Sequence, residues 1–303
     1  MNKNTPTVTI VTPTYNSAAT LANTIESVLG QTYPHLEYIV VDGNSTDNTP
    51  EIVARYANDP RLKYIREPDK GQTDAINKGW AHATGAVFAW LCADDSYLPN
   101  TVRTAVDAFN SHRQVMWVYG RDQYINRNGQ PVPFHHHFST WDYAAYLSQQ
   151  LYISQPTVFW RRGVIEHYGL LRDDLHYGMD MEYFLRIGRE FPGHYLPEVL
   201  AKITWTRQTK TFSGGVARIN EIIAIAQQYG ATEFAPTIRV QWVDAHLEAL
   251  FRHLFKGETQ QAAGALNAMF TYPRYLLRGA SKTIVRYTLP ERAEMWLRQA
   301  VLR

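Results

Sequence analysis

Two carboxylates stand side by side at Asp94 and Asp95, directly after an apolar, strand-like run over residues 87–92. Hard divalent cations such as Mg²⁺ and Mn²⁺ prefer carboxylate and phosphate oxygens. A cation held there can act as a Lewis acid on an anionic oxygen group. In isolation the pair is also the pattern of an exposed turn. Asp42 closes a second apolar run, residues 36–41, with no evident partner in the sequence. It can accept a hydrogen bond from an N–H or O–H donor or close the strand as an Asx turn. Asp180 lies in Tyr177-Gly178-Met179-Asp180, at the expected start of a helix. A carboxylate there can take the proton of an attacking hydroxyl, and it also suits a helix cap. Glu182, two residues on, points away from Asp180 on a helix and reads as structural.

These residues need a scaffold that gathers them. Strand patterns fall at residues 8–12, 36–41, 62–65, 87–92, 116–119, 157–161 and 195–205. Helical spacing is expected at 18–29, 49–56, 73–83, 98–109, 143–149 and 179–189. The alternation implies an α/β fold, a mostly parallel sheet with helices on both faces. In open sheets of this kind ligands bind beyond the carboxyl ends of the strands. Thr12-Pro13-Thr14-Tyr15-Asn16, Asp42-Gly43-Asn44-Ser45 and Ala93-Asp94-Asp95 all fall there, so one converging polar site is expected. Residues 122–141 read as turn-rich and irregular. After Ser213-Gly214-Gly215 the pattern turns wholly helical, and a domain boundary is expected near residue 215.

Five segments, in order, carry a family resemblance. Val8-Thr9-Ile10-Val11-Thr12-Pro13-Thr14-Tyr15-Asn16 resembles the opening strand of family 2 glycosyltransferases of the GT-A fold. Tyr38-Ile39-Val40-Val41-Asp42-Gly43-Asn44-Ser45-Thr46-Asp47 is similar to their second strand and loop. Asp69-Lys70-Gly71-Gln72-Thr73-Asp74-Ala75-Ile76-Asn77-Lys78-Gly79 resembles their Asp-x-Gly-x-x-Asp-Ala-x-Asn-x-Gly segment. Leu91-Cys92-Ala93-Asp94-Asp95 resembles a variant of their Asp-x-Asp metal motif. Asp180-Met181-Glu182-Tyr183-Phe184-Leu185-Arg186 is similar to the segment that begins with the catalytic base.

The resemblance implies a Rossmann-like GT-A catalytic domain over residues 1–215, followed by a helical extension over residues 216–303. The donor half is expected at about residues 1–120 and the acceptor half at about 121–215. It implies transfer of a sugar, with inversion, from a UDP- or GDP-type donor to a saccharide or lipid-linked saccharide hydroxyl. A Mg or Mn cation would assist, and the product would belong to a cell-surface polysaccharide or glycolipid. Asp180 is then the catalytic base. Thr12, Pro13, Tyr15, Asn16, Asp42, Asp69, Asp74, Asn77, Asp94 and Arg207 bind the donor, with Asp42 on the base and Asp74 and Asn77 near ribose or sugar. Asp94 and Asp95 hold the metal. The chain departs from the family pattern at Cys92, which replaces the first Asp of Asp-x-Asp, and near Arg207 and Lys210, where a His is missing. It lacks the Gln-x-x-Arg-Trp signature of processive synthases, which favours single additions.

Composition narrows the alternatives. Of 303 residues 45% are hydrophobic and 19% charged, so a substantial core is expected. A net charge of +2 gives no whole-protein case for nucleic-acid binding. The single cysteine excludes an intrachain disulfide and a multi-Cys zinc site. No leader pattern opens the chain, and no apolar run reaches the roughly 18 residues of a membrane span. A cytoplasmic location, or the inner face of the cell membrane, is expected. His135-His136-His137 reads as a solvated loop or acceptor-side lid, and Gln155-Pro156 as acceptor-pocket lining. Between Tyr272 and Arg303, Arg274, Arg278, Lys282, Arg286, Arg292, Arg298 and Arg303 face only Glu291 and Glu294, a basic amphipathic pattern suited to peripheral contact with anionic lipid. Two other functions fit the same features. A sugar nucleotidyltransferase would need a Gly-rich, basic loop that Pro13–Ser17 lacks. A non-catalytic sugar-binding module would use the abundant Trp and Tyr as platforms and would not need Asp180.

Overall fold

The computed structural model describes residues 5–132, 138–206 and 209–278. Eight strands form one sheet: β1 (Val8–Thr14), β2 (Leu36–Asp42), β3 (Leu62–Arg66), β4 (Val87–Trp90), β5 (Asp95–Tyr97), β6 (Trp117–Ile125), β7 (Phe159–Arg161) and β8 (His194–Thr204). Their order is β3-β2-β1-β4-β7-β6-β8-β5. The first four are parallel neighbours. β7 runs antiparallel to both β4 and β6, β8 runs parallel to β6, and β5 closes the edge antiparallel to β8. β1 and β2 are buried along their whole length. This is why both read as continuous rather than alternating apolar runs.

Seven described helices lie between β1 and β8 along the chain: α1 (Leu21–Leu29), α2 (Thr49–Ala54), α3 (Gln72–Ala81), α4 (Thr101–Ser111), α5 (Tyr143–Leu147), α6 (Arg162–Tyr168) and α7 (Met179–Gly188). Leu21, Ile25 and Val28 of α1 share one core with Val102, Ala105, Val106 and Phe109 of α4 and the inward residues of β1 and β2. α3 lies close on β1. A side chain at Gly79 would begin 2.5 Å from a methyl of Val11, so only glycine permits that approach. An aromatic cluster ties α3 to its neighbours. Trp80 of α3, Trp90 of β4 and Trp160 of β7 meet edge to face at 5.1–5.6 Å. Tyr183 of α7 joins them.

Some elements differ from the sequence expectation. β4 ends at Trp90 rather than residue 92, and Asp95 opens β5 instead of closing a strand. A turn at Ala93-Asp94 reverses the chain so that β5 can pair with the long β8. β6 continues to Ile125, into the stretch read as irregular, because its outer half follows β8 through a bulged parallel register.

The chain divides into two compact units. One holds the described residues up to Pro131 with Phe138–Tyr143 and Ile153–Thr204; the other holds Val132, Ala144–Tyr152 and the described residues from Trp205 onward. The second unit is helical, with α8 (Lys210–Ser213), α9 (Gly215–Gln228), α10 (Pro236–Phe255) and α11 (Thr259–Met269). α10 and α11 share a small core of Val243, Leu247 and Met269, beside Trp242 and Leu250. The Trp242 indole donates to the Ala268 carbonyl at 3.0 Å. Among the described residues no helix is long and apolar enough to cross a membrane.

Candidate active site

The loop after β1 and the loop after β2 are stapled together by Asn16. Its backbone takes a left-handed φ of 50°, which asparagine tolerates. Its N–H donates to Ser45 Oγ at 2.8 Å, and its Oδ1 accepts from the N–H of Thr46 at 2.8 Å. Tyr15 stands largely exposed beside it. Thr12 is fully buried and accepts from the Tyr38 hydroxyl at 3.0 Å. Pro13 lies within β1, opposite Val41.

Asp42 is fully buried at the end of β2. Its Oδ1 accepts from the N–H and the hydroxyl of Ser45 at 2.8 and 2.6 Å. Its Oδ2 accepts from the Tyr64 hydroxyl at 2.6 Å and lies 3.6 Å from Arg66 Nε. Burying a carboxylate costs several kcal/mol unless it is hydrogen-bonded and paired, and these four contacts meet that need. Tyr64 and Arg66, two apart on β3, share one strand face and both reach Asp42. The sequence reading missed them. Alternation in Leu62–Arg66 places them on one face, but only the β2–β3 register puts that face against Asp42.

The N-terminal end of α3 is where the separate motifs meet. Asp69 lies against the backbone at Gly43, where an added Cβ would collide with the Asp69 carboxylate. Its Oδ1 accepts from the N–H of Gly71 at 2.8 Å. Gln72 donates to Cys92 Sγ at 3.1 Å. Cys92 faces Gln155 Oε1 at 3.8 Å, and the Gln155 amide nitrogen donates to the Trp90 carbonyl at 2.9 Å. Thr73 donates its hydroxyl to Met179 Sδ at 2.6 Å, next to Asp180. Segments around residues 42, 92–95 and 180, far apart in the chain, therefore converge on residues 69–73.

Asp94 occupies the turn before β5, and Asp95 is buried. Burial pushes the Asp94 carboxyl above its ordinary value. Burial pushes Asp95 well above its own, and the neighbouring charges of Asp94 and Asp122 add to the rise. Asp122 of β6, in the stretch read as irregular, is itself raised by burial to about 6. Among the described residues no ion pair offsets Asp94 or Asp95.

Asp180 is the second residue of α7, and Gly178, not Asp180, is the helix cap. Its Oδ1 accepts from the N–H of Met181 at 2.7 Å, and the helix N-terminus favours its negative form. Glu182 is 2% exposed and pairs with Arg186 at 2.8 Å, the structural use expected of it. Asp74 accepts from the N–H of Lys70 at 3.0 Å and pairs with Lys78 at 3.2 Å. Asn77 makes two hydrogen bonds to the backbone of Leu171, at 2.9 and 3.1 Å. Both side chains are engaged by the fold itself. Arg207 and His135-His136-His137 lie outside the described residues.

Comparison with known proteins follows the same lines. Residues 9–169 match the family model for glycosyl transferase family 2. An uncharacterised glycosyltransferase of Mycobacterium tuberculosis is 30% identical over 189 residues, 60% of this chain and 68% of that protein. Other curated relatives are much longer: the matched stretch is 18% of one and 22% of another. Among solved structures, TarS of S. aureus (residues 1–349, in complex with UDP-GlcNAc) superposes with a TM-score of 0.61 at 18% identity, over 97% of this chain and 92% of that one. The mannosyltransferase PcManGT from Pyrobaculum calidifontis, in complex with GDP-Man and Mn²⁺, gives 0.58 at 21% identity, over 98% and 85%. At these identities the likeness is one of fold. With just over half of its residues in the family match and its sheet built as in these neighbours, the chain is a member of glycosyl transferase family 2 with the GT-A fold.

Proposed function

We propose that this chain transfers a sugar from a nucleoside-diphosphate donor of the UDP or GDP type to a hydroxyl of a saccharide or lipid-linked saccharide acceptor, with inversion at the anomeric carbon. The observation that carries the reading is the convergence of three motif segments, around residues 43, 92 and 179, on residues 69–73. Neighbours of the same fold are described with UDP-GlcNAc and with GDP-Man. In this reading Thr12, Pro13, Tyr15, Asn16, Asp42 and Asp69 form the nucleotide end of the donor site. Asp74 and Asn77 shape it through their hold on α3 and Leu171, and Arg207 contributes charge toward the phosphates. Asp42 would receive a base N–H only by exchanging one of its present donors.

Asp94 and Asp95 fit a divalent cation. They are adjacent carboxylates, Asp94 half-buried and Asp95 buried, with no ion-pair partner among the described residues, and hard cations favour oxygen donors. Among the described residues no three His, Cys, Asp or Glu side chains gather as a complete metal cage. The donor's diphosphate would therefore complete the coordination, and a bound Mg or Mn ion would supply charge neutralisation to the leaving group. PcManGT is described with Mn²⁺.

Asp180 then serves as base. The acceptor oxygen forms a bond to the anomeric carbon as the bond from that carbon to the diphosphate oxygen breaks, and the hydroxyl proton passes to the Asp180 carboxylate. The buried state of Trp80, Trp90, Trp117 and Trp160 speaks against the sugar-binding-module alternative, since these rings are core rather than platforms. The same reading takes residues 1–215 as the catalytic domain and assigns the product to a surface polysaccharide or glycolipid made on the cytoplasmic side of the membrane.

The test is nucleotide release from a panel of UDP- and GDP-sugars with Mn²⁺ and candidate acceptors. Wild type should turn over one donor class. Asp180→Asn should lose roughly 10²–10⁴-fold in transfer while donor binding stays unchanged. Full activity of Asp180→Asn would reject the assignment of the base.

A further inference from the structure

Nine large apolar side chains are exposed among the described residues, and six of them lie between positions 251 and 277: Phe251, Leu254, Phe255, Leu266, Phe270 and Leu277. Two of the remaining three, Tyr15 and Tyr64, belong to the candidate donor site. Scattered exposed apolar residues need no explanation, whereas a concentration of them marks an interaction surface.

The six are ordered by the helices that carry them. Phe251, Leu254 and Phe255 fall at i, i+3 and i+4, on one side of the last turn of α10. They stand at the tip of the hairpin that Gly257 and Glu258 close into α11. Phe255 is 89% exposed. On α11, Ala262, Ala265 and Met269 face the core, and Leu266 and Phe270, four apart, lie on the outward side. α11 spans about 16 Å at 1.5 Å per residue, so the apolar side chains extend from the hairpin tip along its flank. Leu277, 87% exposed, continues them.

The charges alongside have one sign. Arg252, Lys256, Arg274 and Arg278 are all exposed. The only acidic side chain among residues 251–278 is Glu258, which is paired with His253 at 2.5 Å. Beyond Arg278 the sequence adds Lys282, Arg286, Arg292, Arg298 and Arg303 against Glu291 and Glu294. A second copy of the chain would set these cations against their own kind, which like-charge repulsion disfavours. An anionic bilayer offers both complements, a negative surface for the cations and an acyl boundary for Leu and Phe.

We propose that the α10–α11 hairpin, with Phe251, Leu254, Phe255, Leu266 and Phe270 inserted and Arg252, Lys256, Arg274 and Arg278 on the headgroups, seats this chain on an anionic lipid surface. The proposal names the surface and its lipid and is independent of the donor-site reading.

Co-sedimentation of the full chain with phosphatidylcholine vesicles, with and without phosphatidylglycerol, tests it. The wild type should bind anionic vesicles at least roughly tenfold more tightly than neutral ones, with the difference shrinking at high salt. Leu254→Ser with Phe255→Ser should weaken anionic binding by about tenfold or more. Arg252→Glu with Arg274→Glu, both at exposed positions, should do the same and decides the matter if the first variant misfolds. Nucleoside-diphosphate binding, followed in the same samples, should be unchanged in both, which separates failure here from failure of the donor site. Equal or absent binding of the wild type to the two vesicle types overturns the proposal. So does a concentration-dependent dimer that Leu254→Ser with Phe255→Ser dissolves while vesicles bind nothing.

Discussion

Asp94, in the turn, is raised above its ordinary value by burial, and Asp95, at the start of β5, is raised well above its own by burial and by the charges of Asp94 and Asp122. A protonated carboxyl is a poor ligand for a hard cation, so the proposed cation-assisted donor binding would inherit these raised values. Sign follows directly: because the carboxyls are raised, they take up protons at a higher pH than an ordinary aspartate, and binding weakens as pH falls. Calorimetric titration of UDP or GDP with Mn²⁺ between pH 8 and about pH 5 should show affinity declining well above the ordinary aspartate value of about 4. A flat profile across that window would remove the two residues from the cation site. At this scale the sequence was partly legible. Asp42, Asp94, Asp95 and Asp180 announce themselves by residue type at strand and helix ends. Tyr64, Arg66, Gln72 and Asp122 do not, because their importance lies in what stands across a strand or turn, and register is set by packing rather than by local pattern.

Among the elements, Glu37 shows how the strands that carry the site are locked. It is buried on β2 and accepts hydrogen bonds from Thr9 of β1, Lys63 of β3, and the N–H and hydroxyl of Thr84 before β4. Burial alone would raise its carboxyl, but the Lys63, Thr9 and Thr84 hydrogen bonds outweigh that and hold it at about 2. A folded value depressed below the unfolded one contributes stability that is fully present above about pH 4.5. That stability is lost as pH falls from there through about 2. Glu37→Gln should therefore cost about 1–3 kcal/mol at neutral pH. In urea titrations the gap between variant and wild type should close as pH falls toward 2, and a gap that stays constant would show that the charge is not what locks the strands. The long buried strands were legible as continuous apolar runs and the amphipathic helices by their period. β5 was not, since three residues carry no period and Asp95–Tyr97 becomes a strand only through β8.

For the whole molecule, the order of alternating strands and helices foretold a parallel α/β sheet, and the structure has one, with antiparallel β7 and β5 added on the side that alternation cannot foresee. The helical character of the described residues after 215 was also legible, although the compact helical unit takes in the described residues from Trp205 onward and the short stretch Ala144–Tyr152, an association of distant segments that no local pattern reveals. The central claim is that Asp42 and Asp94, 52 positions apart in the sequence, serve one nucleotide site assembled at the start of α3. Calorimetry of UDP and GDP with Mn²⁺ on the wild type, Asp42→Ala and Asp94→Ala measures this most directly. One nucleotide should bind the wild type at a single site, and each substitution should weaken it by roughly tenfold or more, as loss of a good polar contact does. Binding in both variants equal to the wild type, or no binding of either nucleotide to a folded wild-type chain, would contradict it.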